Sequence, residues 1–234
     1  MENSSKMNYE SVGIIAFKSR SERIPEKNLK NLGEKPLYYY MIKKALLSNL
    51  DKIFVITDAN DNIKEEIKEM GAEIFEVPNY YFERDITGDK MLTIPFEKID
   101  ADIYVQLFVT APFLRVETIN EAIKILKENE HDSIFTINTR HDWIWYNGNP
   151  ITYFPGKLPR SQDATPIKVE TTGLYAIKKE ALKELKRRIG NYPYMLEVDD
   201  IEGLDLDNPL DFLKAELFFE NRDRIKKITG KDYL

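Results

Sequence analysis

Short apolar runs alternate with amphipathic stretches through the first 138 residues, and few folds accommodate that rhythm. Val12 to Phe17, Lys52 to Thr57, Ala72 to Val77, Asp102 to Val109 and Ser133 to Asn138 read as strands. Lys35 to Leu50, Ile63 to Met70, Asp89 to Ile99 and Val116 to Asn129 read as helices between them. In the first helix Leu37, Tyr40, Met41, Ile42 and Ala45 recur near the helical period, and Gly71 is the expected terminator of the second. The order βαβαβαβαβ implies an α/β chain with a mostly parallel sheet and helices on both faces. Right-handed crossovers then gather the loops that follow the strands along one edge. The loop after Phe17, Asp58 and the Val109–Pro112 segment share that edge, where a ligand crevice belongs.

Beyond residue 138 the pattern changes. Trp143 to Phe154 holds both tryptophans and an Asn147-Gly148 hairpin signal between aromatic flanks. Such a segment is an active-site lid, a dimerisation arm, or a hairpin packed on its own core. Ile167 to Ile177 reads as a strand, Lys178 to Arg188 as a helix, Met195 to Val198 as a strand and Asn208 to Phe219 as a helix. At 234 residues and 42% hydrophobic content, one domain over 1–234 with an arm at about 139–166 is expected.

Composition removes several chemistries. There are no cysteines, which excludes disulfides, thiolate metal sites and a cysteine nucleophile. Only His131 and His141 are present, too few for a His-rich metal centre. No run approaches the ~18 apolar residues of a membrane span. Met1 to Asn8 has no apolar signal core, so a cytoplasmic location and no membrane partner are expected. A net charge of -6 opposes nucleic-acid binding, but a local cation cluster can still hold a small anion.

Such a cluster follows the first strand. Lys18, Arg20, Arg23 and Lys27 sit in one loop, punctuated by Pro25 and Asn28 and followed by a helix that Pro36 opens. Fixed cations and helix-end amides together favour phosphate oxygens, although a charged loop can also be mere solvated surface. Near the other end, Leu204-Asp-Leu-Asp207 places two carboxylates on one side of an extended segment. With waters and a phosphate they make a reasonable Mg²⁺ site, and Asp207 could equally cap the following helix. Walker, G-x-G-x-x-G and G-x-S-x-G motifs are all absent.

Ile14-Ile-Ala-Phe-Lys-Ser-Arg-Ser-Glu-Arg-Ile-Pro-Glu-Lys-Asn28 resembles, without a gap, a signature of the acylneuraminate (CMP-sialic acid) cytidylyltransferase family. That signature runs roughly I-I-P-A-R-G-G-S-K-G-I-P-G-K-N. Lys18 falls on its arginine, and Arg23 and Glu26 each replace a glycine. Leu29 to Leu37 is similar to the family's K-x-L-x-G-K-P-L passage. Val109-Thr-Ala-Pro-Phe-Leu-Arg115 is similar to Q-P-T-S-P-L-R, with Phe108 at the glutamine and Gln106 upstream. Pro159 to Asp163 resembles R-x-Q-D, Thr172-Gly-Leu-Tyr175 resembles N-G-A-I-Y, and Leu204 to Pro209 resembles I-D-I-D-T-P. The departures mark a divergent branch.

The resemblance implies a three-layer Rossmann-like nucleotide-diphospho-sugar transferase fold with a protruding β dimerisation arm. It implies transfer of CMP from CTP to a nonulosonic, sialic-acid-like 2-keto sugar acid, with release of pyrophosphate, by a homodimer. Lys18, Ser21, Arg23 and Asn28 would meet CTP, as would Asp89, Thr93, Thr110 and Arg115. Lys27, Asp205 and Asp207 would be catalytic, the two aspartates holding Mg²⁺. Arg160, Gln162, Thr172 and Tyr175 would face the sugar acid. CMP-KDO synthesis, cytidylyl transfer to a phosphonate or another acidic acceptor, and a non-catalytic nucleotide-binding homologue are the alternatives. A partner-binding protein that uses the aromatic arm is a further one.

Overall fold

A computed structural model describes residues 8–82 and 86–234. Residues 1–7, on which the absence of a signal core was mostly read, lie outside it. β1 (Tyr9–Phe17) starts three residues before the expected strand, and Ser11 to Ile15 are all buried. A strand covered on both faces reads as an unbroken apolar run. Val12, Ile14 and Ile15 have no exposed surface. Burying each such side chain is worth roughly 1.5–3 kcal/mol.

The chain then forms a small ladder of β2 (Asn31–Leu32) with β3 (Lys35–Pro36), and α1 (Leu37–Leu47). The expected helix from Lys35 is thus shortened at both ends, and at its start because Lys35 and Pro36 pair back onto Leu32 and Asn31. β4 (Lys52–Thr57) and α2 (Asp61–Glu69) follow, the latter capped by the Asn60 side chain accepting from Ile63 N. Of the strand expected over Ala72 to Val77, only β5 (Glu73–Ile74) pairs, because it is a sheet edge with one neighbour. α3 (Gly88–Phe96), β6 (Ala101–Leu107), α4 (Val116–Glu128) and β7 (Ser133–Arg140) complete the alternating half.

The arm region holds the β8 (Trp145–Tyr146) and β9 (Asn149–Pro150) hairpin. Asn147 and Gly148 both have positive φ, 50° and 78°, as a type I′ turn requires. The Thr152 hydroxyl accepts from Ile144 N and donates to Asp142 O, closing the base of this segment. β10 (Ile167–Lys178), α5 (Lys179–Leu185), β11 (Pro193–Glu197), α6 (Pro209–Glu220) and α7 (Arg222–Thr229) finish the chain. α7 was not foreseen, and its eight residues bury nothing fully.

The central sheet has the order β11-β7-β10-β6-β1-β4-β5. Every pairing in it is parallel except those of β10, which runs antiparallel to both β6 and β7. α1, α2 and α4 cover one face through Met41, Ile67, Ile119 and Leu126. α3 and α5 cover the other through Leu92 and Leu182. A third cluster joins Ile24, Leu32, Leu37, Phe113, Leu206 and Phe212. It bolts the cationic loop to the D-x-D segment and α6. No helix among the described residues is long and apolar enough to cross a membrane.

Candidate active site

The parallel register places the ends of β1 and β6 at the same edge of the sheet. The Asp58 carboxylate at the end of β4 accepts from Ser19 N in the loop after β1. Because β10 runs the other way, Leu174 pairs with Leu107, and residues 171–173 reach this edge too. The register of β10 against β7 shifts between Glu170 and Tyr175, so this stretch is irregular. The segment after β11 returns here as well, and Leu206 N donates to Thr110 O at 2.9 Å.

A cleft of about 630 Å³ opens at this edge. Lys18, Ser21, Arg23, Lys27, Asn28 and Thr110 line it on the polar side, and Tyr81, Phe82, Met91 and Phe108 on the apolar side. Lys27 is only 7% exposed. Its Nζ donates to Leu206 O and lies 3.8 Å from Asp207 Oδ1. Burial pushes its ammonium below the usual lysine range, opposed by the charges of Asp207 and Asp205. Arg23 meets the same Asp207 oxygen at 3.0 Å. The cationic loop and the D-x-D segment, nearly 180 residues apart, are therefore one constellation.

Asn208 caps α6, accepting from Leu210 N and Asp211 N in a reciprocal box with Asp211. The capping role considered for Asp207 therefore belongs to its neighbour, and the Asp207 carboxylate faces the cations instead. Asn28 Nδ2 donates to Lys18 O at 2.8 Å and pins the loop. Asn28 Oδ1, Thr172 Oγ1 and Asp205 Oδ1 are buried with no hydrogen-bond partner. Buried polar atoms in folded proteins are nearly always satisfied, so three such oxygens at one sheet edge are open to a hydrogen-bond donor or a cation.

Lys44 of α1 supports this edge from behind. Its buried Nζ donates to Pro112 O and Tyr233 O. Burial draws its ammonium down to about 7, against the pull of Glu202, Asp232 and Glu117.

A cytidylyltransferase family model matches residues 12–198, which is most of the chain. The chain belongs to the cytidylyltransferase family. N-acylneuraminate cytidylyltransferase A of Danio rerio is 25% identical over 213 residues, covering 87% of this chain and 49% of that protein. The 3-deoxy-manno-octulosonate cytidylyltransferase of Acaryochloris marina is 20% identical, covering 89% of this chain and 97% of that one. The chain thus spans about half the length of the Danio rerio relatives it matches. In fold it is similar to CMP:2-keto-3-deoxy-manno-octonic acid synthetase complexed with CTP, with a TM-score of 0.66 and 16% identity over 91% of this chain and 99% of that one.

Several residues that the family signature marks lie elsewhere. Arg115 points away from the cleft: its Nε meets Glu202 Oε2 at 3.0 Å and its N donates to Glu202 Oε1. The Asp89 carboxylate accepts from Arg188 N, and Thr93 Oγ1 donates to Lys90 O within α3. These contacts hold elements together rather than facing the cleft. Arg160 pairs with Asp163 at 2.7 Å, with its side chain 74% exposed, and Gln162 is exposed beside it. Tyr175 is buried, its hydroxyl donating to Glu170 Oε2 at 2.9 Å.

Two departures from the cytidylyltransferase signature have visible consequences. Glu26, at a signature glycine, has φ +50°. A side chain in that region costs on the order of 1 kcal/mol, which glycine avoids. Gln106, two residues before the expected position, is buried, donates from Nε2 to Gly88 O and leaves its Oε1 without a partner. Phe108 takes the cleft wall instead. Sequence reasoning missed Glu202 and Arg188, because neither sits in a motif and each acts on residues distant in the chain.

Proposed function

We propose that this chain transfers CMP from CTP to a nonulosonic, sialic-acid-like 2-keto sugar acid, giving the CMP-sugar and pyrophosphate. The observation that carries the reading is the single constellation of Arg23 and Lys27 with Asp207, beside the unsatisfied Asp205 Oδ1. An acceptor hydroxyl oxygen bonds to the α-phosphorus, and the bond from that phosphorus to the β-phosphate oxygen breaks. Lys18, Arg23 and Lys27 receive the negative charge that develops on the departing pyrophosphate, and fixed cations act best where charge grows in the transition state. Asn28, whose Oδ1 is without a partner, would meet the nucleotide, and Asp207, paired with Arg23, would take the acceptor proton if a protein base does so.

Mg²⁺ fits the donor set. Asp205 offers a buried oxygen without a partner, and Asp207 a second hard oxygen two residues on. Groups of three or more ligating side chains do not occur among the described residues. That count suits Mg²⁺, which is held by one or two carboxylates together with substrate phosphates and waters. When bound, the ion would neutralise phosphate charge and polarise the acceptor hydroxyl.

A CMP-KDO synthetase activity is the second reading, favoured by the octulosonate relative being matched over 97% of its length. Pyrophosphate release separates the two. The protein with Mg²⁺ and CTP is offered N-acetylneuraminic, legionaminic, pseudaminic or 3-deoxy-manno-octulosonic acid, with UTP and ATP as controls. Release with a nonulosonic acid and CTP alone is expected. Release only with the octulosonic acid selects the second reading, and no release with any acid overturns both.

The same reading makes the chain a homodimer through its arm. Trp145, Tyr146 and Phe154 are 58%, 67% and 83% exposed, and Tyr192 just before β11 and Met195 within it are also exposed. Exposed aromatic groups of this density mark contact surfaces. Sedimentation at micromolar concentration is expected to give a dimer that Phe154→Glu with Trp145→Glu reduces to monomer. A wild-type monomer would refute the arm assignment.

A further inference from the structure

Residues 198–208, between β11 and α6, carry both aspartates of the D-x-D segment and form neither strand nor helix. No ladder fixes such a stretch, so its place in the fold is set by its individual contacts. Asp199 makes the first of them. Its Oδ1 accepts from Ile201 N and Glu202 N at 3.1 and 3.0 Å, which begins a turn over residues 200–203. Gly203 lets that turn close on the sheet, since a Cβ there would fall 2.6 Å from Asn138 Oδ1.

The other oxygen of Asp199 is taken by the segment that follows α7. The Tyr233 hydroxyl donates to Asp199 Oδ2 at 2.7 Å, and Lys231 Nζ meets the same oxygen at 2.7 Å. Tyr233 is itself buried, its ring joining the apolar cluster of Leu37, Phe113, Leu206 and Phe212. Residues 231–233 are thus a strap across the turn, anchored by a side chain in the core.

The strap has a second hold. The Tyr233 carbonyl accepts from Lys44 Nζ, whose other bond goes to Pro112 O. Lys44 is buried, where losing the donor would leave both carbonyls unsatisfied. Pro112 belongs to the loop whose Thr110 lines the cleft, and Thr110 O accepts from Leu206 N, between the two aspartates. The segment is therefore gripped at Asp199 directly, and at Leu206 through Lys44 and the Thr110 loop.

We infer that Tyr233, with Lys231 and Lys44, positions Asp205 and Asp207 for cytidylyl transfer by strapping their segment to the Thr110 loop. None of the three lines the cleft, so they are positioning residues rather than catalytic ones. The inference rests on the roles proposed above for the two aspartates.

Tyr233→Phe is the sharpest probe, because it keeps the ring and removes only the hydroxyl. Lys231→Met removes the neighbouring tie, and Lys231→Arg restores a cation to Asp199. Lys44→Met tests the second hold, and where it fails to fold Tyr233→Phe still decides. Each variant is assayed for pyrophosphate release with Mg²⁺, CTP and whichever of the four sugar acids the wild type accepts. A displaced reacting group slows the chemical step without weakening a nucleotide held by other residues. Tyr233→Phe and Lys231→Met should each lower kcat by about 10-fold, with the KM for CTP within about twofold of wild type. Lys231→Arg should recover most of the lost kcat. Hydrogen exchange at the Leu206 amide should quicken by about 10-fold more than exchange in β1. A merely structural role would speed exchange alike at both places and leave kcat as it is. An unchanged kcat in Tyr233→Phe, or Leu206 exchange that does not outpace β1, overturns the inference and leaves the proposed function standing. If the wild type releases pyrophosphate with none of the four acids, the proposed function fails and takes the inference with it.

Discussion

Changing Asp205 to Asn lowers pyrophosphate release by on the order of 10³-fold, the upper range for one preorganised electrostatic group. The substitution keeps shape and removes charge. Asp205 Oδ1 is buried without a partner, so a purely structural view predicts that a neutral amide is tolerated or even stabilising. A ligand-binding view predicts the reverse for rate, because an amide oxygen is a far weaker donor to a hard cation than a carboxylate. The two views separate when steady-state rates over a range of Mg²⁺ are set beside urea unfolding. Retained stability with a collapsed rate supports the site. A rate within a few-fold of wild type would remove Asp205 from the chemistry.

Glu202→Ala destabilises the chain by roughly 3–5 kcal/mol, the usual cost of leaving one partner of a buried ion pair alone. Glu202 is 1% exposed. It accepts from Arg115 N and Nε, and from the Thr118 hydroxyl. Arg115 begins α4 without a side-chain cap of its own, so Glu202 serves that helix end from 87 residues away. The carboxylate also anchors the segment that leads into Asp205 and Asp207, so the loss reaches the site. The urea midpoint should fall by roughly 1–2 M with the slope unchanged. Glu202→Gln should fall less, since its amide oxygen still accepts. A shift below about 1 kcal/mol, the median of an exposed pair, would contradict the burial argument.

What could be read from residues and what could not divides along the distance between partners. β1, β4 and the hairpin turn at Asn147-Gly148 declare themselves by period and turn chemistry, which are local. Lys18, Arg23, Lys27, Asp205 and Asp207 were legible as charged motifs, and the resemblance set them in one site. The structure adds how Arg23 and Lys27 meet that segment, through Leu206 O and the Asp207 carboxylate. The opposite failure is Arg115: its motif was visible, but the partner that turns it away from the cleft is not. Nothing near Lys44 in sequence announces that two carbonyls distant in the chain will bury its ammonium. Arg188 is the same case, since stacking on Tyr175 depends on how the chain after α5 passes over the sheet.

The placement of β10 has a consequence for how the molecule is made. As the chain leaves the ribosome, β1, β4, β5 and β6 can pair with one another, but β6 keeps an open edge. The strand that fills that edge, β10, runs antiparallel to both β6 and β7 and is completed about 40 residues after β7. Until β10 has emerged, β7 is not joined to the sheet, and the exposed β6 edge is a template for misplaced strands. The segment carrying Asp205 and Asp207 arrives only after every strand of the sheet. Lys18, Arg23 and Lys27 therefore emerge long before the sheet is whole, and Asp205 and Asp207 after it, so the two halves of the constellation meet only once the sheet is built.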